Sequence, residues 1–140
     1  MLHETVTVRI FGDEKLFGPG MAELLHGVDE HGSLRGAALS MEMAYSKAWA
    51  MIRRCEAGMG FRLLASVTGG KNGGGAVLTE NARALLADYE AYRDEIAAFA
   101  HSRFSAYFEH YNFKNPVELS AELGYDRSST GYTPDEGGKT

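Results

Sequence analysis

A chain of 140 residues with 44% hydrophobic side chains has the length of one ordinary domain and can bury a core without disulfides or metals. Its single cysteine, Cys55, rules out an internal disulfide, and no apolar run is long enough to span a bilayer, so a reducing cytoplasm is the expected setting. A formal net charge of −5 argues against a surface that is basic all round, but the charge is unevenly placed. Between Ser33 and Thr79, Arg35, Lys47, Arg53, Arg54, Arg62 and Lys71 face only Glu42 and Glu56, a net of +4 that leaves −9 for the remainder. A basic block inside an acidic chain is the pattern of a localised phosphate-facing surface.

The chain opens on an alternation, Val6, Val8 and Ile10 against Thr7 and Arg9, which predicts a half-buried strand over Thr5 to Phe11. Met21, Leu24, Leu25 and Val28 then recur at helical spacing up to Gly32, placed as a C-cap. Ser33 is the expected N-cap of a short helix through Ala37, Ala38 and Leu39. A second helix follows over Ala44 to Met59. Two helices joined by a tight turn make a helix-turn-helix.

On a helical wheel the second helix turns Ala48, Ile52, Cys55 and Met59 inward, with Tyr45 and Trp49 flanking that stripe. Its other face carries Ser46, Lys47, Ala50, Arg53, Arg54 and Ala57, small and basic side chains with no carboxylate among them. Small residues let a backbone approach a groove, while Arg reaches guanine edges or phosphates and Lys reaches phosphates. Phe61 to Val67 and Ala76 to Leu78 read as two strands around a glycine-rich tip, the hairpin of a winged helix.

Thr79 is the expected N-cap of a long helix to about Phe108. Within it Leu85, Tyr89, Tyr92, Ile96 and Phe99 follow a 4-3-4-3 spacing, which predicts a partner helix and a homodimer. Residues 1–110 are therefore expected to form a winged helix-turn-helix domain with a dimerisation helix at about 79–108. Residues 111–140 should hold a short helix near Val117 to Leu123 and a disordered tail. The expected fold is mainly α with a small β component.

Two segments carry a resemblance. Met43-Ala44-Tyr45-Ser46-Lys47-Ala48-Trp49, and Thr68-Gly69-Gly70-Lys71-Asn72-Gly73-Gly74-Gly75-Ala76-Val77-Leu78-Thr79, resemble the amino-terminal domain of the ModE-type molybdate-responsive regulators, itself a relative of the LysR-type DNA-binding domain. The resemblance runs roughly from Val6 to Tyr92. It implies a dimeric winged helix on a palindromic operator, with Ser46 and Lys47 opening the recognition helix in the major groove and Thr68, Lys71 and Asn72 on the wing. The candidate DNA-binding set is thus Arg35, Tyr45, Ser46, Lys47, Arg53, Arg54, Thr68, Lys71 and Asn72.

Departures from the family pattern carry their own expectations. Glu42 stands where a turn glycine is usual and Ala44 where a capping serine is usual, so the turn should be strained and the helix start weaker by about 1 kcal/mol. The chain ends before a carboxy-terminal oxyanion-binding domain, so no molybdate site is expected.

Rival chemistries find little footing. The glycine cluster lacks the GK-[ST] order of a phosphate loop at a helix mouth. His3, His26, His31, His101 and His110 offer no i, i+4 pair for a metal, so neither metal nor cofactor is expected. No nucleophile signature such as GxSxG is present, so the chain reads as a regulator and not an enzyme. The alternative of another class is a winged helix that docks proteins without touching DNA, which has no need of an acid-free basic helix face.

Overall fold

The computed structural model describes residues 2–68, 74–111 and 122–124. It divides into two units, Val6–Ala97 and a second made of the residues before Val6 together with those from Ala98 onward. The wing tip at 69–73 and the expected short helix and tail lie outside the described residues, apart from 122–124, of which 122 and 123 have helical backbone.

The first unit is mainly helical, with two small antiparallel hairpins. Strand β1 (Ile10–Phe11) pairs with β2 (Lys15–Phe17), and β3 (Leu64–Val67) pairs with β4 (Gly75–Leu78). Between the hairpins lie α1 (Pro19–His31), α2 (Leu34–Ser40) and α3 (Tyr45–Met59), and α4 (Glu80–Phe108) follows the second. The order helix, helix, hairpin, helix is that of a winged helix-turn-helix. No described helix is long and apolar enough to cross a membrane.

Local chemistry explains the boundaries. Pro19 starts α1, where its missing N–H is not needed. Gly32 ends it at φ 73°, a left-handed cap whose N–H donates to the Val28 carbonyl at 2.8 Å. Ser33 caps α2 by accepting from the Gly36 N–H at 3.0 Å. Thr79 works in three directions. Its Oγ1 accepts from the Ala82 N–H and donates to the Arg62 carbonyl, and its own N–H donates to the Leu63 carbonyl. One residue thereby caps α4 and clamps it to the foot of the wing.

The core lies among α1, α2, α3, the wing strands and the first turns of α4. Leu24, Leu25, Val28, Ala37, Ala48, Ile52, Cys55, Leu63 and Ala82 are all fully buried there. Helices α1 and α2 pack unusually close, since a Cβ at Gly27 would fall 2.9 Å from the Ala37 Cβ. The wing is tied to α1 by a bond from the Ala76 N–H to the Gly32 carbonyl at 2.9 Å.

Two expectations need correction. The opening strand is paired only at Ile10 and Phe11, although Val6, Val8 and Ile10 are half-buried and Thr7 and Arg9 exposed as the alternation requires. Alternation reports one covered face, and here the cover for the earlier residues includes a helix: the Tyr89 hydroxyl donates to the Val8 carbonyl at 2.8 Å. Tyr89 is also the second correction. It is 2% exposed and its ring lies 4.8 Å from that of Phe17, so it belongs to the chain's own core and not to a partner-facing seam. Leu85 and Ile96 are half-buried, while Tyr92 and Phe99 are exposed.

In the second unit His101 Nδ1 lies 2.9 Å from Glu4 Oε1, and Phe104 stacks on Phe108 with centroids 5.0 Å apart.

The turn between α2 and α3 bears the strain foreseen for it. Glu42 sits at φ 54°, the one described non-glycine residue with positive φ. The Met43 N–H reaches back to the Ala38 carbonyl at 2.9 Å and the Glu42 N–H to the Leu39 carbonyl at 3.1 Å, a Schellman pair with Glu42 in the glycine position. A left-handed residue with a Cβ costs about 1 kcal/mol. Glu42→Gly is therefore expected to leave the urea midpoint of unfolding unchanged or raise it, by a net gain of up to about 0.6 kcal/mol after the added freedom of the unfolded chain; a lowered midpoint would show the turn to be unstrained.

Candidate nucleic-acid interface

Helix α3 is pinned by its inward stripe. Ala48, Ile52 and Cys55 are fully buried, and Met59 is half-buried at its end. Because side chains on a helix repeat every 3.6 residues, fixing that stripe fixes the opposite one. Ser46, Lys47, Ala50, Arg53, Arg54 and Ala57 are all exposed. The single carboxylate of α3, Glu56, is turned away from solvent, where its Oε2 accepts from the Leu63 N–H at 2.7 Å and lies 3.3 Å from Arg62 Nε. It joins α3 to the wing and leaves the outward face without an acid.

The start of α3 is open. Ala44 occupies the N-cap and makes no side-chain cap bond, and the first turn holds no acidic residue. The positive end of the helix dipole is accordingly left uncompensated by the protein, a setting that favours an anion.

The arginines around this face are held in two different ways. Arg35, from α2, places its guanidinium 4.2 Å from the centre of the Tyr45 ring. Tyr45 meets Trp49 edge to face at 6.2 Å, and Arg53 lies 5.4 Å from the Trp49 ring. Tyr45, Trp49 and Arg53 are spaced i, i+4, i+8, so the series runs along one stripe of α3. Elsewhere arginines meet carboxylates: Arg54 lies 3.4 Å from Glu14, and Arg83 makes a two-pronged pair with Asp29 at 2.9 Å. A guanidinium over a ring keeps its charge and its in-plane N–H edge available, whereas one paired with a carboxylate must first exchange that partner.

The structure thus brings Arg35, Tyr45 and Arg53 together through Trp49, with Ser46 and Lys47 exposed beside them and no ion pair to Lys47 among the described residues. Arg54 is exposed but already engaged by Glu14, a residue of the β1–β2 turn that no local pattern in the sequence connects with it. Thr68 is exposed just after β3, and Lys71 and Asn72 lie outside the described residues. Trp49 is the residue that the helical wheel undervalued, as a flank of the core; the signal was the i, i+4, i+8 spacing ending in an arginine. No group of three or more His, Cys, Asp or Glu among the described residues could hold a metal ion.

Residues 21–83 match the family model described as bacterial regulatory helix-turn-helix protein, lysR family. The matched stretch begins in the first turn of α1, takes in α2, α3 and both wing strands, and ends in the first turn of α4. The match is to a helix-turn-helix family of bacterial regulators, and the elements that it takes in are those of a winged helix-turn-helix. No curated protein matches the chain.

Cys55, on the buried side of α3, has no part in this surface. Burial first, and then the neighbouring Glu56 carboxylate, push its thiol from 9.0 up to about 11. In the folded protein it should resist a thiol reagent at pH 8 and react only on unfolding. The linkage runs against stability in alkali, because between pH 9 and 11 the unfolded chain gives up this proton while the folded chain keeps it. Stability measured by urea titration should therefore fall across that window, and less so in Cys55→Ala; rapid labelling of the native protein at pH 8 would contradict the burial.

Proposed function

We propose that this chain, whose residues 21–83 match the lysR-family helix-turn-helix model, is a dimeric, sequence-specific regulator of transcription that sets α3 in the major groove and its wing along the backbone or minor groove of a palindromic operator. The observation that carries the reading is the outward face of α3: small side chains, Lys47 and Arg53, no carboxylate, and arginines held by rings. A helix that merely faced solvent would gain nothing from excluding acids along its length.

The roles divide by rigidity. Ser46, Lys47 and Arg53 project from a helix fixed by its core stripe and are suited to reading base edges, with Arg35 and Tyr45 supporting them from the α2 side. Thr68, Lys71 and Asn72 belong to the wing and would follow phosphates, which adds affinity and little sequence information. The second copy would pair along α4 through Leu85, Tyr92 and Ile96, continuing in sequence to Phe99. Exposure of Tyr92 and the apolar groove that it lines with Val8, Ile10, Phe11 and Leu85 support that choice. The likeness of the Tyr45–Trp49 and Thr68–Thr79 segments to the ModE-type domain supports an operator of related symmetry.

Sequencing the genomic fragments that the purified protein retains at moderate salt tests both specificity and dimerisation. A palindrome with half-sites about one helical turn apart is the expected result. On that duplex Arg53→Ala should erase about 1–3 kcal/mol of the preference over scrambled DNA. Lys71→Ala should weaken both duplexes alike and lower the salt slope by about one unit. Fragments without a shared sequence, or equal loss of discrimination in both variants, would overturn the assignment.

A further inference from the structure

Resting on the DNA-binding reading above, we propose that Trp49, seconded by Tyr45, is a positioning residue for DNA recognition: its ring holds Arg53 in the conformation that meets DNA while leaving the arginine's charge and N–H edge free. Trp49 is half-buried and packs against the core, so its ring is fixed from below, and Arg53 lies 5.4 Å from its centre. Tyr45 bridges to Arg35 in the same way, at 6.2 Å from Trp49 and 4.2 Å from the guanidinium.

The contrast with the ion-paired arginines gives the arrangement its meaning. Arg54, Arg62, Arg83 and Arg93 all have a carboxylate within reach, at 3.4, 3.3, 2.9 and 3.0 Å, and on α4 Arg93 and Arg103 also lie 5.9 and 5.8 Å from the Tyr89 and Tyr107 rings. Arg35 and Arg53 have none among the described residues, and each has a ring. A long side chain that is free in solution must be ordered when it binds, and that ordering weakens association. A carboxylate would order it too, but would neutralise it and occupy the fork that a phosphate or guanine takes. An aromatic face orders the guanidinium without competing for that fork.

A positioning role and a merely structural one separate in a double-mutant cycle. The probes are a duplex that the wild-type protein selects from a random pool and a scrambled duplex of the same composition. Trp49→Leu should lower affinity for the selected duplex about three- to tenfold, with an unchanged salt slope because no charge is lost. In an Arg53→Ala background the same change should lower affinity by less than twofold. Trp49→Phe, which retains a π face, should recover most of the loss. If instead Trp49→Leu weakens binding equally with and without Arg53, the ring acts only through the fold and the proposal fails. Should Trp49→Leu unfold, the emission of Trp49, the sole tryptophan of the chain, supplies the test in Arg53→Met: a shifted spectrum in the free protein is expected, and an unshifted one overturns the contact. A wild-type protein that selects no duplex from the random pool would refute the DNA reading itself, a result distinct from additive losses in a protein that does bind.

Discussion

The close approach of α1 to α2 is the constraint on which the outward face of α3 depends. A helix of seven residues has no stability of its own, and α2 exists because Leu34, Ala37 and Ala38 are buried against its neighbours. Gly27 and Ala37 are small enough to let the two backbones meet, and any larger side chain at Gly27 would start 2.9 Å from the Ala37 Cβ. With α2 fixed, the left-handed turn at Glu42 sets the direction in which the chain leaves it. Helix α3 then drops Ala48, Ile52 and Cys55 into the same core, and its polar face has nowhere to point but outward.

The electrostatics follow from that placement. The chain is acidic overall, yet two acids beside α3 are engaged, Glu56 at the foot of the wing and Glu14 on Arg54, while Glu42 stays exposed in the turn before it. What remains outward on α3 is Lys47, Arg53 and a helix start without an acid or a side-chain cap. Local charge, rather than the average of −5, is what a phosphate at this surface would meet, since interactions beyond about 10 Å are screened at ordinary salt.

How far the sequence discloses all this depends on the range of the interaction concerned. Helices α1, α2 and α3 were legible because their caps and apolar spacing are local, and Ser33, Gly32 and Thr79 act where their chemistry places them. The strain at Glu42 was legible too, from the resemblance, in which a glycine is the usual residue of that turn. The apolar spacing of α4 was equally plain, but spacing shows that a face is covered and not by what, so Tyr89 looked like a partner contact and proved to be a core residue against Phe17. In the same way Val6 and Val8 looked like strand residues because alternation does not say whether the cover is a strand or a helix. The Arg54–Glu14 pair and the reach of Arg35 to Tyr45 join separate elements and have no local signature.

The central claim is that the outward face of α3 enters the major groove, and methylation interference tests it most directly. A duplex recovered by the protein, sparsely methylated with dimethyl sulfate, carries its label at guanine N7 in the major groove and at adenine N3 in the minor groove. Methylation at guanine N7 within each half-site should exclude those molecules from the bound fraction, because an arginine or lysine at a guanine edge needs that acceptor. Adenine N3 methylation should matter only where the wing lies. A bound fraction indifferent to N7 methylation throughout the site would contradict the account.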